Sequence, residues 1–173
     1  MNRLMDRAMR LQNRWLPKVS LAGTASAEHL TALLARRILE NGAEFTRPMD
    51  PRMAELWRWH ALEEAEHKTV AYDVLLRVAP SYALRVLLLV STSAGLFFES
   101  LARTAYMLWK DGVLLERETW RSARRFLFAR GGLLRGHGPA YLAWFRRDFH
   151  PKQNDDGALI ETWRANLARS LSP

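Results

Sequence analysis

A chain of 173 residues, 49% hydrophobic and 25% charged, has the balance of one globular domain with a buried core and is too apolar for a disordered segment. It has no cysteine, which excludes disulfides, thiolate metal sites and thiol nucleophiles, so any metal must be held by nitrogen and oxygen. The net charge is +8, much of it from arginines between Arg117 and Arg147 that read as a solvated basic face; no zinc finger, RNP-like strand or helix-turn-helix accompanies them, and nucleic acid is not an expected partner.

Residues 2–16 form an amphipathic start with Arg3, Asp6, Arg7, Arg10 and Arg14 spread along it. That pattern is not the apolar core of a signal peptide, and the expected location is cytoplasmic. Pro17 ends this start, and a helix is predicted over about 20–40, closed by Asn41-Gly42 as a C-terminal cap. Its face carrying Glu28 also carries Leu21, Thr24, Ala25, Ala32, Ala35 and Leu39, a stripe small enough for close approach of a neighbour. Residues 43–50 read as a loop, and Pro51 suits the first turn of a helix running to about Ala79, where Pro80 stops it.

A long helix over about 81–110 follows. Its run Val86–Phe98 is uncharged but shorter than the roughly 20 residues of a membrane span. It is therefore expected to be a buried central helix, with peripheral membrane contact left open. Asp111-Gly112 interrupts it, and another helix covers about 113–130 before the breaks at Gly131-Gly132 and Gly138-Pro139. A short helix, a polar turn over 150–157 and a last helix over about 158–171 complete an all-α prediction for a single metal-binding domain over residues 1–173. No sustained period-two alternation suggests a sheet.

The helix over 51–79 carries the chemistry. At about 100° per residue, His60, Glu63, Glu64 and His67 fall within an arc of roughly 100°. Met53, Leu56, Ala71, Val74 and Val78 lie in or beside that arc, whereas Arg58, Glu66, Thr69 and Asp73 point away. The four polar groups are thus expected to face the core, where unpaired charge is costly, and a bound metal ion would compensate them. Glu64 and His67 have the i, i+3 spacing of bundle-type carboxylate metal sites. Glu28, a carboxylate on a small-residue stripe, is the expected ligand from the neighbouring helix. Nearby Trp57 and Trp59 are expected to pack around a dry site. Glu99 is expected to pair with Arg103, and His137, between two glycines, to serve a loop.

The segments Thr24–Ala32 and Trp59–Val74, with Phe145-Arg146-Arg147-Asp148-Phe149-His150-Pro151, resemble the bacterial "predicted metal-dependent hydrolase" family. The resemblance implies a ferritin-like helical bundle with additional C-terminal helices and a metal centre of Glu28, His60, Glu64 and His67. It implies a divalent metal, iron first, with manganese or zinc as alternatives. Glu63 is the candidate general base toward a small-molecule substrate of unknown identity, and His150 either lines a substrate entrance or fixes its turn. The resemblance also implies a further N-terminal portion with a second Glu and Glu-x-x-His set, absent from this chain, so the bundle is expected to be incomplete. Three arrangements follow: a fragment of a longer protein, which is the simplest; a homodimer completing the metal site; or one ion held by the four ligands. The ligand chemistry fits a di-iron oxidase or oxygenase as well as a hydrolase, and a non-catalytic remnant or helical interaction domain is the third class.

Overall fold

The computed structural model describes residues 2–41 and 49–170, without the side chains of residues 2–4, 11, 12, 14, 15, 168 and 170. Gly42 and most of the expected loop over 43–50 lie outside the described residues. The described residues are helical and include no strand: α1 (Asn2–Trp15), α2 (Pro17–Glu40), α3 (Pro51–His67), α4 (Val70–Val78), α5 (Tyr82–Lys110), α6 (Arg117–Phe128), α7 (Gly138–Ala143), a 3-10 turn at Pro151–Gln153 and α8 (Gly157–Ser170).

Prolines set several boundaries. Pro17 and Pro51 each stand in the first turn of a helix, where the missing N–H has no intrahelical partner to lose. Asp50 caps α3 by accepting from the Arg52 amide at 2.9 Å, and Ser81 caps α5 by accepting from Leu84 N at 3.3 Å. After α6, Gly131 adopts φ 83°, and Gly132 fills a position where an added Cβ would sit 2.8 Å from the Leu127 carbonyl, so both places call for glycine.

Helix α2 is the axis of the molecule, contacting α3, α4 and α5 most extensively. Four of its eight buried residues, Ala22, Ala25, Ala32 and Ala35, are alanines, so neighbouring backbones approach closely beside them. Two cores form along it. One gathers Ala22 and Ala25 with Tyr72, Leu75, Leu89, Trp144 and Phe149. The other joins Ala35 and Leu39 to Ala61 and Ala65 of α3, with Leu159, Ile160 and Trp163 of α8 packed against it. Trp163 fixes that packing by donating from Nε1 to the Leu39 carbonyl at 2.8 Å.

The first core surrounds a buried cation. Arg85 donates to the Tyr72 hydroxyl and, at 2.7 Å, to the Arg146 carbonyl. Tyr72 in turn donates to the Phe149 carbonyl at 2.7 Å, and Trp144 Nε1 donates to the Arg85 carbonyl. The guanidinium carbon lies 5.4–5.9 Å from the ring centroids of Tyr72, Tyr82, Trp144 and Phe149. Among the described residues no carboxylate is in ion-pair range of Arg85, so the aromatic faces and carbonyls stabilise its charge.

Two expectations are corrected. The helix predicted over 51–79 is two helices, broken at Lys68-Thr69. The long α5 is not a buried central helix: Arg85 and Leu89 are its only buried residues, both near its start, and only 11% of its apolar window is buried. Hydropathy registers apolar content equally whether protein or another apolar medium covers it, so sequence alone could not distinguish the two.

Candidate metal centre

The proposed ligands lie along the groove where α2 meets α3 and α4. Their face of α3 is not the one that packs. Ala54, Ala61, Leu62 and Ala65 make the buried stripe, and His60 and His67 stand beside it with side chains 51% and 62% exposed. The expectation that all four polar groups aim into the core is therefore corrected. Trp57 and Trp59 are likewise exposed rather than packed around a dry site. The error has a physical source: helical periodicity tells which residues share a face, and the three alanines that pack are weaker hydrophobic signals than the exposed Met53, Leu56 and Trp57.

The face read as solvated is instead covered by the C-terminal part of the chain. Glu66 pairs with Arg164 of α8 at 2.8 Å. Lys68 is buried and donates to the Asp156 carboxylate and, at 2.8 Å, to the Asn154 carbonyl. Asp73 holds His150, whose Nε2 lies 2.8 Å from Asp73 Oδ1. Because His150 Nδ1 accepts from the Lys152 amide at 3.2 Å, Nε2 carries the proton and donates to the carboxylate. His150 thus caps the 3-10 turn and ties it to α4.

Glu28 and Glu64 are the half-buried members of the set. Glu28 Oε2 accepts from the Ala71 amide at 3.3 Å, an amide near the start of α4. Burial raises its carboxyl above the usual range, the Ala71 hydrogen bond opposes this, the charge of Glu64 raises it further and His67 lowers it. Glu28, Glu64 and His67 therefore share one electrostatic environment. Glu64 is anchored by Thr31 of α2, whose hydroxyl donates to Oε2 at 2.6 Å, while its Oε1 lies 3.6 Å from His60 Nε2. Glu63 Oε2 lies 3.9 Å from His67 Nε2 on the more open side of the groove. Thr31 was missed in the sequence reading; one turn beyond Glu28 on α2, it could have been picked out by i, i+3 spacing.

The donor set is of the right kind for a hard or borderline divalent cation, since carboxylates and imidazoles are its natural ligands. The unfavourable charge of Glu64 on Glu28 is one that a cation between them would relieve. As arranged, no three His, Asp or Glu groups among the described residues converge closely enough to hold a metal ion. His29, next to Glu28, is not part of the groove. It is buried against Trp144 and Phe149, with ring centroids at 4.7 Å and 5.4 Å.

The described elements are all helical, and carboxylates and imidazoles line one inter-helix groove among them. Residues 1–155 match the model of a family described as predicted metal-dependent hydrolase, and the chain belongs to that family. Searches of curated proteins and of solved structures find no match.

Proposed function

We propose that the chain is a metal-dependent hydrolase in which a divalent ion would draw Glu28, Glu64, His67 and His60 together across the α2–α3 groove from their present, more open arrangement. The observation that carries this is the match of residues 1–155 to a metal-dependent hydrolase family, supported by the Glu28 and Glu64 carboxylates anchored in the groove by the Ala71 amide and the Thr31 hydroxyl. When bound, a divalent ion supplies Lewis acidity toward a substrate carbonyl or phosphoryl oxygen and toward water.

The chain's own residues supply the rest. Thr31 orients Glu64 by donating to Oε2, which leaves Oε1 directed toward His60. The Ala71 amide orients Glu28 in the same way. Glu63, beside His67 and more open to solvent than Glu64, would accept a proton from water at Oε2. The open side of the groove, bordered by Trp57 and His60 with ring centroids 5.9 Å apart, is where a small substrate would approach.

Metal analysis of purified protein loaded in turn with iron, manganese and zinc tests the reading. Wild type should retain one of these ions, and Glu64→Ala and His67→Ala should lose most of it. Glu66→Ala should retain it, because removing a partly exposed ion pair costs about 1 kcal/mol or less. Hydrolysis of a panel of chromogenic esters and phosphoesters should fall in Glu63→Gln while its metal content is kept. Wild type that retains no metal, or Glu64→Ala that retains as much as wild type, would overturn the assignment.

A further inference from the structure

From Val90 to Lys110 no residue of α5 is buried, and α6 has no buried residue. This apolar surface is organised. At about 100° per residue, Val90, Phe97, Phe98 and Leu101 fall on one side of α5, and Glu99, Arg103 and Lys110 on the other. Phe97 and Phe98 are 60% and 65% exposed, so the stripe is bare. On the polar side, Arg103 Nε donates to Glu99 at 3.0 Å, and Lys110 Nζ lies 5.0 Å from the Trp109 ring centroid.

Helix α6 repeats the pattern with stronger charge. Its sequence RETWRSARRFLF holds four arginines against one glutamate. By the same periodicity Trp120, Ala123, Phe126 and Leu127 share one face and the arginines the other, with Phe128 among them. Arg121 pairs with Glu118. Among the described residues, Arg117, Arg124 and Arg125 have no carboxylate in ion-pair range. The hollow beside them is lined entirely by α6 and Ala129, so it is an open helix face and not an enclosed cavity.

We propose that the outer part of α5 together with α6 docks this protein onto an anionic lipid surface, with Phe97, Phe98 and Trp120 entering the acyl boundary and the α6 arginines meeting lipid phosphates. An amphipathic helix with tryptophan and phenylalanine on one face and arginine on the other has the composition of a segment lying in the membrane interface. The free arginines supply charge complementarity that a purely apolar partner would not use. The exposed part of α5 is about 30 Å long at about 1.5 Å per residue, enough to cross a bilayer. Crossing is disfavoured because the Glu99–Arg103 pair would then sit near the bilayer centre, and because the start of α5 is packed against α2.

Flotation of the full chain with vesicles of phosphatidylcholine, with and without phosphatidylglycerol, tests this. The protein should float with the anionic vesicles, bind neutral ones far less and be released by high salt. Arg117→Glu/Arg124→Glu/Arg125→Glu should weaken binding by roughly fivefold or more per arginine, roughly a hundredfold in all. Phe97→Ser/Phe98→Ser should weaken it while leaving the salt dependence in place. All five side chains are exposed, so circular dichroism should show both variants folded. Absence of flotation with anionic vesicles overturns the proposal, as does flotation that both variants leave intact. So does sedimentation as a dimer that loses vesicle binding, which would make a second copy of this chain the occupant. Binding of single-stranded RNA that excludes vesicles would likewise overturn it.

Discussion

The buried imidazole of His29 gives the chain a built-in acid sensitivity whose size can be worked out. His29 is almost fully buried, and its Nε2 has no hydrogen-bond partner. The hydrogen bond to the Ala140 backbone therefore falls to Nδ1. Burial, first, and the charges of Arg85 and Lys68 oppose protonation, outweighing the Ala140 bond, so its pKa drops from 6.5 to about 4. The folded pKa lies below the unfolded one, so between these values the unfolded chain binds the extra proton. Stability is then full above the unfolded value and is lost as pH falls toward about 4. At about 1.4 kcal/mol per pH unit, the complete loss is about 3 kcal/mol. Denaturant unfolding followed by circular dichroism across this range should show that decline in wild type. His29→Gln keeps a donor for Ala140 but cannot titrate, so its curve should decline less by about the same 3 kcal/mol. Parallel curves for the two proteins would refute the reasoning, because carboxylates common to both cannot produce the difference.

Two further outcomes follow. The raised Glu28 carboxyl means that folding favours its protonated form, so stability falls as pH rises from the unfolded value of 4.5 through the folded one and stays lower above. Glu28→Gln should therefore unfold at higher denaturant than wild type in chelator at neutral pH, yet retain less metal; equal or lower stability would contradict the assignment of strain to this group. Lys68 and Asp156 have side chains only 10% and 8% exposed, so Lys68→Met should cost about 3–5 kcal/mol by stranding a carboxylate. Lys68→Met/Asp156→Asn should recover much of that loss in the same unfolding assay.

How far the sequence spoke depended on what kind of signal each feature carries. Pro17, Pro51, Pro80 and Pro139 act on their own backbone, and the helix boundaries near them were legible. The all-α class followed from the same local evidence. The break at Lys68-Thr69 was not legible, because no glycine or proline marks it. Glu28, His60, Glu64 and His67 were picked out as one set by residue type and helical spacing, yet among the described residues no three such groups converge as arranged. The burial of His60 and His67 was misjudged, since which face of α3 packs depends in part on where α8 lies. That position is fixed by Trp163 reaching Leu39 and Arg164 reaching Glu66, pairings between distant residues that no local pattern announces.

The break between α3 and α4 also creates a spectroscopic handle. A helix unbroken through this region would commit the Ala71 amide to the His67 carbonyl. Instead that amide reaches across to Glu28, the carboxylate facing the groove, and α4 begins its own ladder with Asp73 N on Thr69 O at 2.8 Å. The resonance of one backbone proton is thereby coupled to the occupancy of a side chain on another helix. Any cation that recruits Glu28 must either share its oxygens with that amide or displace it. The Ala71 N–H chemical shift and its exchange with deuterium would register the event even when no product is formed.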